Sequence, residues 1–190
     1  MYRELFPSSK LLFVYRDVEK VARSVYRSTM VTPTMVLVCK LGKLSRHVTR
    51  LMIDSMGLNG SDFCVRFDTH NDLVLGVVIS AVITTFYLDM RRRGFDIRAV
   101  RYEDLIARPL DMCRVVLEFC HLPVSLAELA VKAFEVDSQR NCHLAKSLIG
   151  HFREPELTTQ TKAKLNELLR KHRVPLIGES GIIEGTLTCS

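Results

Sequence analysis

Between Leu11 and Arg27 the spacing of apolar positions changes from one structural period to another. Leu11-Leu12-Phe13-Val14-Tyr15 is an uncharged apolar run too short for a core helix, and it predicts a strand buried on both faces. Val18, Val21, Ala22 and Val25 then recur at i, i+3, i+4 and i+7. That spacing predicts a helix with one apolar stripe, Asp17 at its N-cap, and Lys20, Arg23, Ser24 and Arg27 on the other face. A strand that ends in Arg16 and turns into such a helix gathers a guanidinium, a helix N-terminus and a hydroxyl around a crevice suited to an anion.

Thr32-Pro33 interrupts the pattern. It resumes from Met35 to Met56 with apolar residues every three or four positions, predicting one or two helices broken near Gly42 with a solvated basic face. Gly57 to Ser61 reads as a loop, and His70 beyond it is a candidate base. Leu73 to Leu88 is uncharged, predicting a buried helix that runs on to Arg93 and is closed by Gly94 at C′. The run is shorter than the 18 or more apolar residues of a membrane span and is bracketed by Asp72 and Asp89. The Arg91-Arg92-Arg93 cluster keeps a span as the alternative.

Phe95 to Tyr102 predicts a second strand. Pro109 sits at N1 of a helix whose inner stripe is Cys113, Val116, Leu117 and Cys120, ending at His121-Leu122-Pro123. Ser125 and Glu128 form a capping box for a helix through Val136, and a last helix from Thr158 to about His172 carries Leu165, Leu168 and Leu169 inward. Two strand-to-helix units separated by a long helical section imply a parallel sheet in a helix-rich α/β fold. One domain is expected over residues 1–175, followed by a loosely packed tail over residues 176–190. Nucleotides bind such sheets at the carboxyl ends of the strands, where Arg16 and Glu103 both fall.

Composition narrows the ligand. The 190 residues are 47% hydrophobic and 25% charged, enough for a globular core, and the net charge of +6 suits an anion: nucleotide, nucleic acid or sulfated glycan. The absence of Trp and the small number of Tyr disfavour nucleic acid held by base stacking. Six scattered cysteines show neither zinc-ligand spacing nor a disulfide framework, so no metal is expected. The N-terminal residues lack the apolar core of a signal peptide.

Tyr15-Arg16-Asp17, with Ser24 eight residues after the Arg and an aromatic soon after it, resembles the segment by which sulfotransferases hold the 3′-phosphate of 3′-phosphoadenosine 5′-phosphosulfate (PAPS). The resemblance implies that Arg16 and Ser24 contact that phosphate. Val100-Arg101-Tyr102-Glu103-Asp104-Leu105, followed by Arg108-Pro109-Leu110 and Leu117-Glu118-Phe119-Cys120, is similar to a later strand-to-helix segment of the family. It implies an adenine contact for Tyr102, whose other reading is a buried strand aromatic. Glu103 and Asp104 are expected to cap or brace the turn. Asp137-Ser138-Gln139 and Gly150-His151-Phe152-Arg153 resemble the family's nucleotide-side loop. Ser138 and Arg153 are carried from it as cofactor-binding residues, with Arg140 and Lys146 competing for the basic role.

The resemblance runs from about Leu5 to His172. It implies a three-layer, parallel-sheet P-loop-type nucleotide fold that transfers a sulfuryl group from PAPS to a hydroxyl or amine of a carbohydrate or small molecule. No Gly- or Ser-rich phosphate loop precedes Arg16, and no His or Glu base stands between such a loop and the Arg strand, so the fold is expected to be N-terminally incomplete. Catalytic residues are therefore unassigned. The alternative is a non-catalytic remnant that binds a nucleotide or a partner protein through an exposed sheet edge. The acceptor is not legible in the sequence. The compartment is equally open, cytoplasmic or Golgi lumen, the latter if a membrane anchor lies upstream.

Overall fold

The computed structural model describes residues 9–31, 50, 54, 59, 72–135 and 156–189. They fall into two compact units, one drawn from Met1–Arg16, Tyr87–Val136 and Ile182–Ser190, the other from Asp17–Phe86 and Asp137–Gly181. The elements in order are β1 (Leu11–Tyr15), α1 (Val18–Val31), α2 (Asp72–Arg92), β2 (Ile97–Arg101), α3 (Tyr102–Ala107), α4 (Pro109–Phe119), a 3-10 turn (Val124–Leu126), α5 (Ala127–Val131), a second 3-10 turn (Lys132–Glu135) and α6 (Thr159–Lys171). The class is helix-rich α/β with a small parallel sheet.

In the first unit β1 pairs parallel with β2, Leu11 opposite Ile97 through Tyr15 opposite Arg101. Thr186 bridges β2 at Ala99, which donates to Gly185 O at 3.0 Å while Leu187 N donates to Ala99 O at 2.8 Å. Tyr15, Tyr87, Leu88, Ala99 and Ile183 form the core, with Phe13 stacked on Tyr87 at a centroid distance of 4.7 Å. Burial on both faces of β1 is not what the structure shows: Leu12 is 36% and Val14 56% exposed, because side chains alternate across a strand and only the Phe13 and Tyr15 face meets the core.

Hydroxyl groups tie this core to the last residues. Thr186 Oγ1 donates its only proton to Ile183 O at 2.7 Å, so Tyr15 Oη must donate to Thr186 Oγ1 at 3.1 Å. Tyr87 Oη donates to Glu184 O at 2.8 Å. Within the stretch expected to be a loose tail, residues 183–187 are held by side chains and by the sheet. The bonds to Tyr15, Tyr87 and Ala99 join residues far apart in sequence, so no local periodicity marks them.

The second unit is aliphatic. Val18 and Ala22 of α1, Leu73, Val74, Val77, Val78, Ala81 and Val82 of α2, and Leu165, Leu168 and Leu169 of α6 share one core with Leu157, Val174 and Ile177. The Leu165, Leu168 and Leu169 stripe falls as the spacing predicts. Asp17 Oδ1 accepts from Lys20 N at 2.9 Å, and Thr158 Oγ1 accepts from Thr161 N at 3.2 Å, so α1 and α6 each begin on a side-chain cap. α1 passes α2 so closely at Gly76 that a Cβ there would stand 2.5 Å from the Ala22 Cα.

Three helices end alike. Phe95 N reaches Met90 O after α2, Leu122 N reaches Leu117 O after α4, and Val174 N reaches Leu169 O after α6, each across a residue of positive φ: Gly94, His121 and Arg173. These are Schellman closures. The first was legible from its glycine. The capping box at Ser125 is not formed: Ser125 lies inside the 3-10 turn, and the N-cap of α5 is Leu126, which makes no side-chain cap bond.

Candidate anion site at the carboxyl end of the sheet

Parallel pairing brings the ends of β1 and β2 to the same side. Tyr15 stands opposite Arg101, so Arg16 and Tyr102 follow as neighbours just beyond the ladder. The Arg16 guanidinium lies over the Tyr102 ring, 4.9 Å from its centroid. Its Nε is 3.9 Å from Glu103 Oε1, and Glu103 Oε2 is 3.7 Å from Arg101 Nε. Arg101 Nη1 is in turn 3.9 Å from Asp104 Oδ1.

These separations are ion pairs without hydrogen-bond geometry, so they orient charge rather than lock it. Burial grades the row. Glu103 and Arg101 are each 17% exposed, whereas Arg16 is 40% exposed and is the cation a ligand can reach. Glu103 and Asp104 occupy the first turn of α3, where the helix dipole favours negative charge. They brace the turn through Arg101, the N-cap residue, whose own side chain makes no cap bond.

The row therefore holds two positive and two negative charges, with the outermost positive. A planar guanidinium stacked on an aromatic and steadied by a carboxylate keeps its fork pointed for bidentate contact with a phosphate or carboxylate. No group of three His, Cys, Asp or Glu side chains among the described residues could hold a metal ion. None of the described helices is long and apolar enough to cross a membrane.

The structure brings together Arg16 and Tyr102 of the residues singled out from sequence. Tyr102 is 37% exposed, and Arg16 occupies the space over its ring. Ser24 is exposed on α1 and belongs to the second unit, whereas Arg16 belongs to the first. Ser138 and Arg153, with Arg140, Lys146 and His70, lie outside the described residues. Arg101 was missed. Its signal was present in the alternation Ile97, Ala99, Arg101, which puts it on the face of Phe13 and Tyr15 at the strand end.

In comparisons with known proteins, the chain matches no family model, no curated protein and no solved structure.

Proposed function

We infer that this chain is sulfotransferase-like and that the carboxyl end of its sheet binds a 3′-phosphoadenosine nucleotide, with Arg16 on the 3′-phosphate. One observation carries the reading. Two segments resembling the same nucleotide-binding family, Tyr15-Arg16-Asp17 and Arg101-Tyr102-Glu103, are far apart in sequence, and the β1–β2 register makes them neighbours. Arg16 is also the exposed member of the charge row, held ready by Tyr102 and Glu103.

In this proposal the fold is of the three-layer P-loop type and the donor is PAPS, whose sulfuryl group passes to a hydroxyl or amine in the complete catalytic form. Ser24, Ser138 and Arg153 are assigned to the nucleotide by resemblance alone, and no base is assigned. A second reading is binding without catalysis, in which Arg16 holds the nucleotide and no group is transferred.

Calorimetric titration of the protein with 3′-phosphoadenosine 5′-phosphate and with adenosine 5′-phosphate tests the assignment. The doubly phosphorylated nucleotide should bind more tightly, and Arg16→Ala should remove about 1.5–3 kcal/mol of that affinity, the worth of a charged hydrogen bond. Equal affinity for the two nucleotides would remove Arg16 from the site, and no binding of either would end the reading. Radiolabelled PAPS offered with mixed carbohydrate and phenol acceptors separates the two forms: tight binding without transfer selects the second.

A further inference from the structure

Arg101 is the sheltered arginine of the charge row, its side chain 17% exposed against 40% for Arg16, so a ligand arriving from solvent meets Arg16 first. Arg101 works on its neighbours instead. Its Nε lies 3.7 Å from Glu103 Oε2 and its Nη1 lies 3.9 Å from Asp104 Oδ1, so two carboxylates share one guanidinium at two different nitrogens. The ladder fixes where this happens, because Arg101 is paired with Tyr15 at the last step of the sheet.

Glu103 divides its two oxygens between the two arginines. Oε2 is buried and turned to Arg101, whereas Oε1 lies 3.9 Å from Arg16 Nε. The carboxylate is a rigid plane, so holding one oxygen sets the direction of the other. Nε is inboard of the guanidinium fork, and a carboxylate placed beside it leaves Nη1 and Nη2 for the two oxygens of a ligand. The Tyr102 ring, 4.9 Å from Arg16 Cζ, supports the same guanidinium from its face. Without Arg101, the Glu103 carboxylate would swing onto the fork and compete there with a phosphate.

We propose that Arg101 is a positioning residue of the anion site: it holds Glu103 at the Nε side of Arg16 and so presents the Arg16 fork to the 3′-phosphate. The inference rests on the nucleotide reading and adds to it a residue that never meets the nucleotide. Asp104 completes the arrangement by holding Arg101 from its other nitrogen.

The test is calorimetric titration of the full chain with 3′-phosphoadenosine 5′-phosphate and with adenosine 5′-phosphate, read as the ratio of the two affinities. Arg101→Lys keeps the charge but replaces two fixed nitrogens by one, and it should shrink that ratio roughly tenfold. Glu103→Gln keeps the shape but offers one acceptor where two arginines need two, and it should shrink the ratio roughly fivefold although it removes a negative charge. In both variants adenosine 5′-phosphate, which lacks the 3′-phosphate, should bind as before and so report a folded site. The field of the row alone predicts the reverse: no change for Arg101→Lys and tighter binding of the 3′-phosphate for Glu103→Gln, and either result overturns the proposal. An equal loss for both nucleotides overturns it in favour of a brace for the α3 turn. Native discrimination that survives both variants sinks this inference and leaves the nucleotide reading standing, whereas native protein that binds the two nucleotides equally ends both.

Discussion

Among the described residues the helical unit hides its apolar side chains, and the sheet unit displays them. Fourteen buried aliphatic residues from α1, α2, α6 and their flanks fill the first, and its exposed large hydrophobics among the described residues are Ile83 and Phe86. The sheet unit closes on a cluster of five buried residues, two of them tyrosines whose hydroxyls need partners, buries Val100, Met112, Cys113 and Ala127 besides, and leaves Leu12, Val14, Ile106, Leu122, Val124, Leu126, Leu129, Phe134 and Ile182 exposed. It also carries the Arg16, Arg101, Glu103 and Asp104 row. Aliphatic helix packing needs no partner beyond itself. A two-stranded sheet has edges and a second face left over, and binding is found where such surface remains.

The comparison breaks first in the helical core. Leu169, fully buried on α6, should cost about 2–5 kcal/mol when replaced by alanine, read as a shift of the urea midpoint. A loss below 1 kcal/mol would mean that the aliphatic core is not the main store of stability. Gly76→Ala should cost about 1–3 kcal/mol, since the new methyl meets the Ala22 backbone and drives α1 from α2 despite the better helix propensity of alanine.

In the sheet unit the core is polar enough to respond to alkali. Burial pushes the Tyr87 hydroxyl above its ordinary 10.0, opposed in part by Arg91, so above that pH the unfolded chain loses a proton that the folded one keeps. Stability contributed by Tyr87 is whole below pH 10 and falls as pH rises through the folded value. Tyr87→Phe should flatten that decline in thermal melts while costing about 1 kcal/mol at neutral pH for the lost bond to Glu184 O. A shallower decline that begins near pH 9 should remain, because burial also raises the Cys113 thiol from 9.0. An unchanged alkaline slope in the Phe variant would show that Tyr87 does not report on this core.

The smallest expected effect is a gain. His121 holds the left-handed position that closes α4, a conformation costing an L-residue about 1–2 kcal/mol, against the ~0.5–1 kcal/mol of extra chain entropy a glycine loses on folding. His121→Gly should therefore stabilise by roughly 0.5 kcal/mol, seen as a small rise in Tm. A fall would mean that the imidazole makes a contact outweighing the strain.

What was legible in the sequence was what is decided locally. The apolar run of β1, the cap at Asp17, the start of α6 near Thr158, Pro109 at the start of α4 and Gly94 at the end of α2 each depend on a few neighbouring residues. Exposure of Leu12 and Val14 depends on what lies across the sheet, which no local period encodes. His121 and Arg173 were opaque because their side chains say nothing of a positive φ, although Pro123 and Pro175 mark the chain turning away just beyond. Half of the candidate site followed the same divide. Arg16 announced itself at a change of period, whereas its stack on Tyr102 and the Arg101 behind Glu103 exist only through strand register.

The bond from Tyr15 to Thr186 spans 171 positions, and it sets a clock on the ribosome. At about 5–20 residues per second, β1 is made roughly 10–30 s before the threonine that receives its tyrosine hydroxyl exists. For about the first half of that interval β1, the more apolar of the two described strands, lacks a complete β2 beside it, and for all of it the C-terminal residues are missing from its core face. The helices of the other unit face a similar delay, since α6 is also made late, but their partial pairs expose no strand edge. Nascent β1 is therefore the segment that a chaperone should meet first, and slowing synthesis should lower the yield of folded protein rather than raise it.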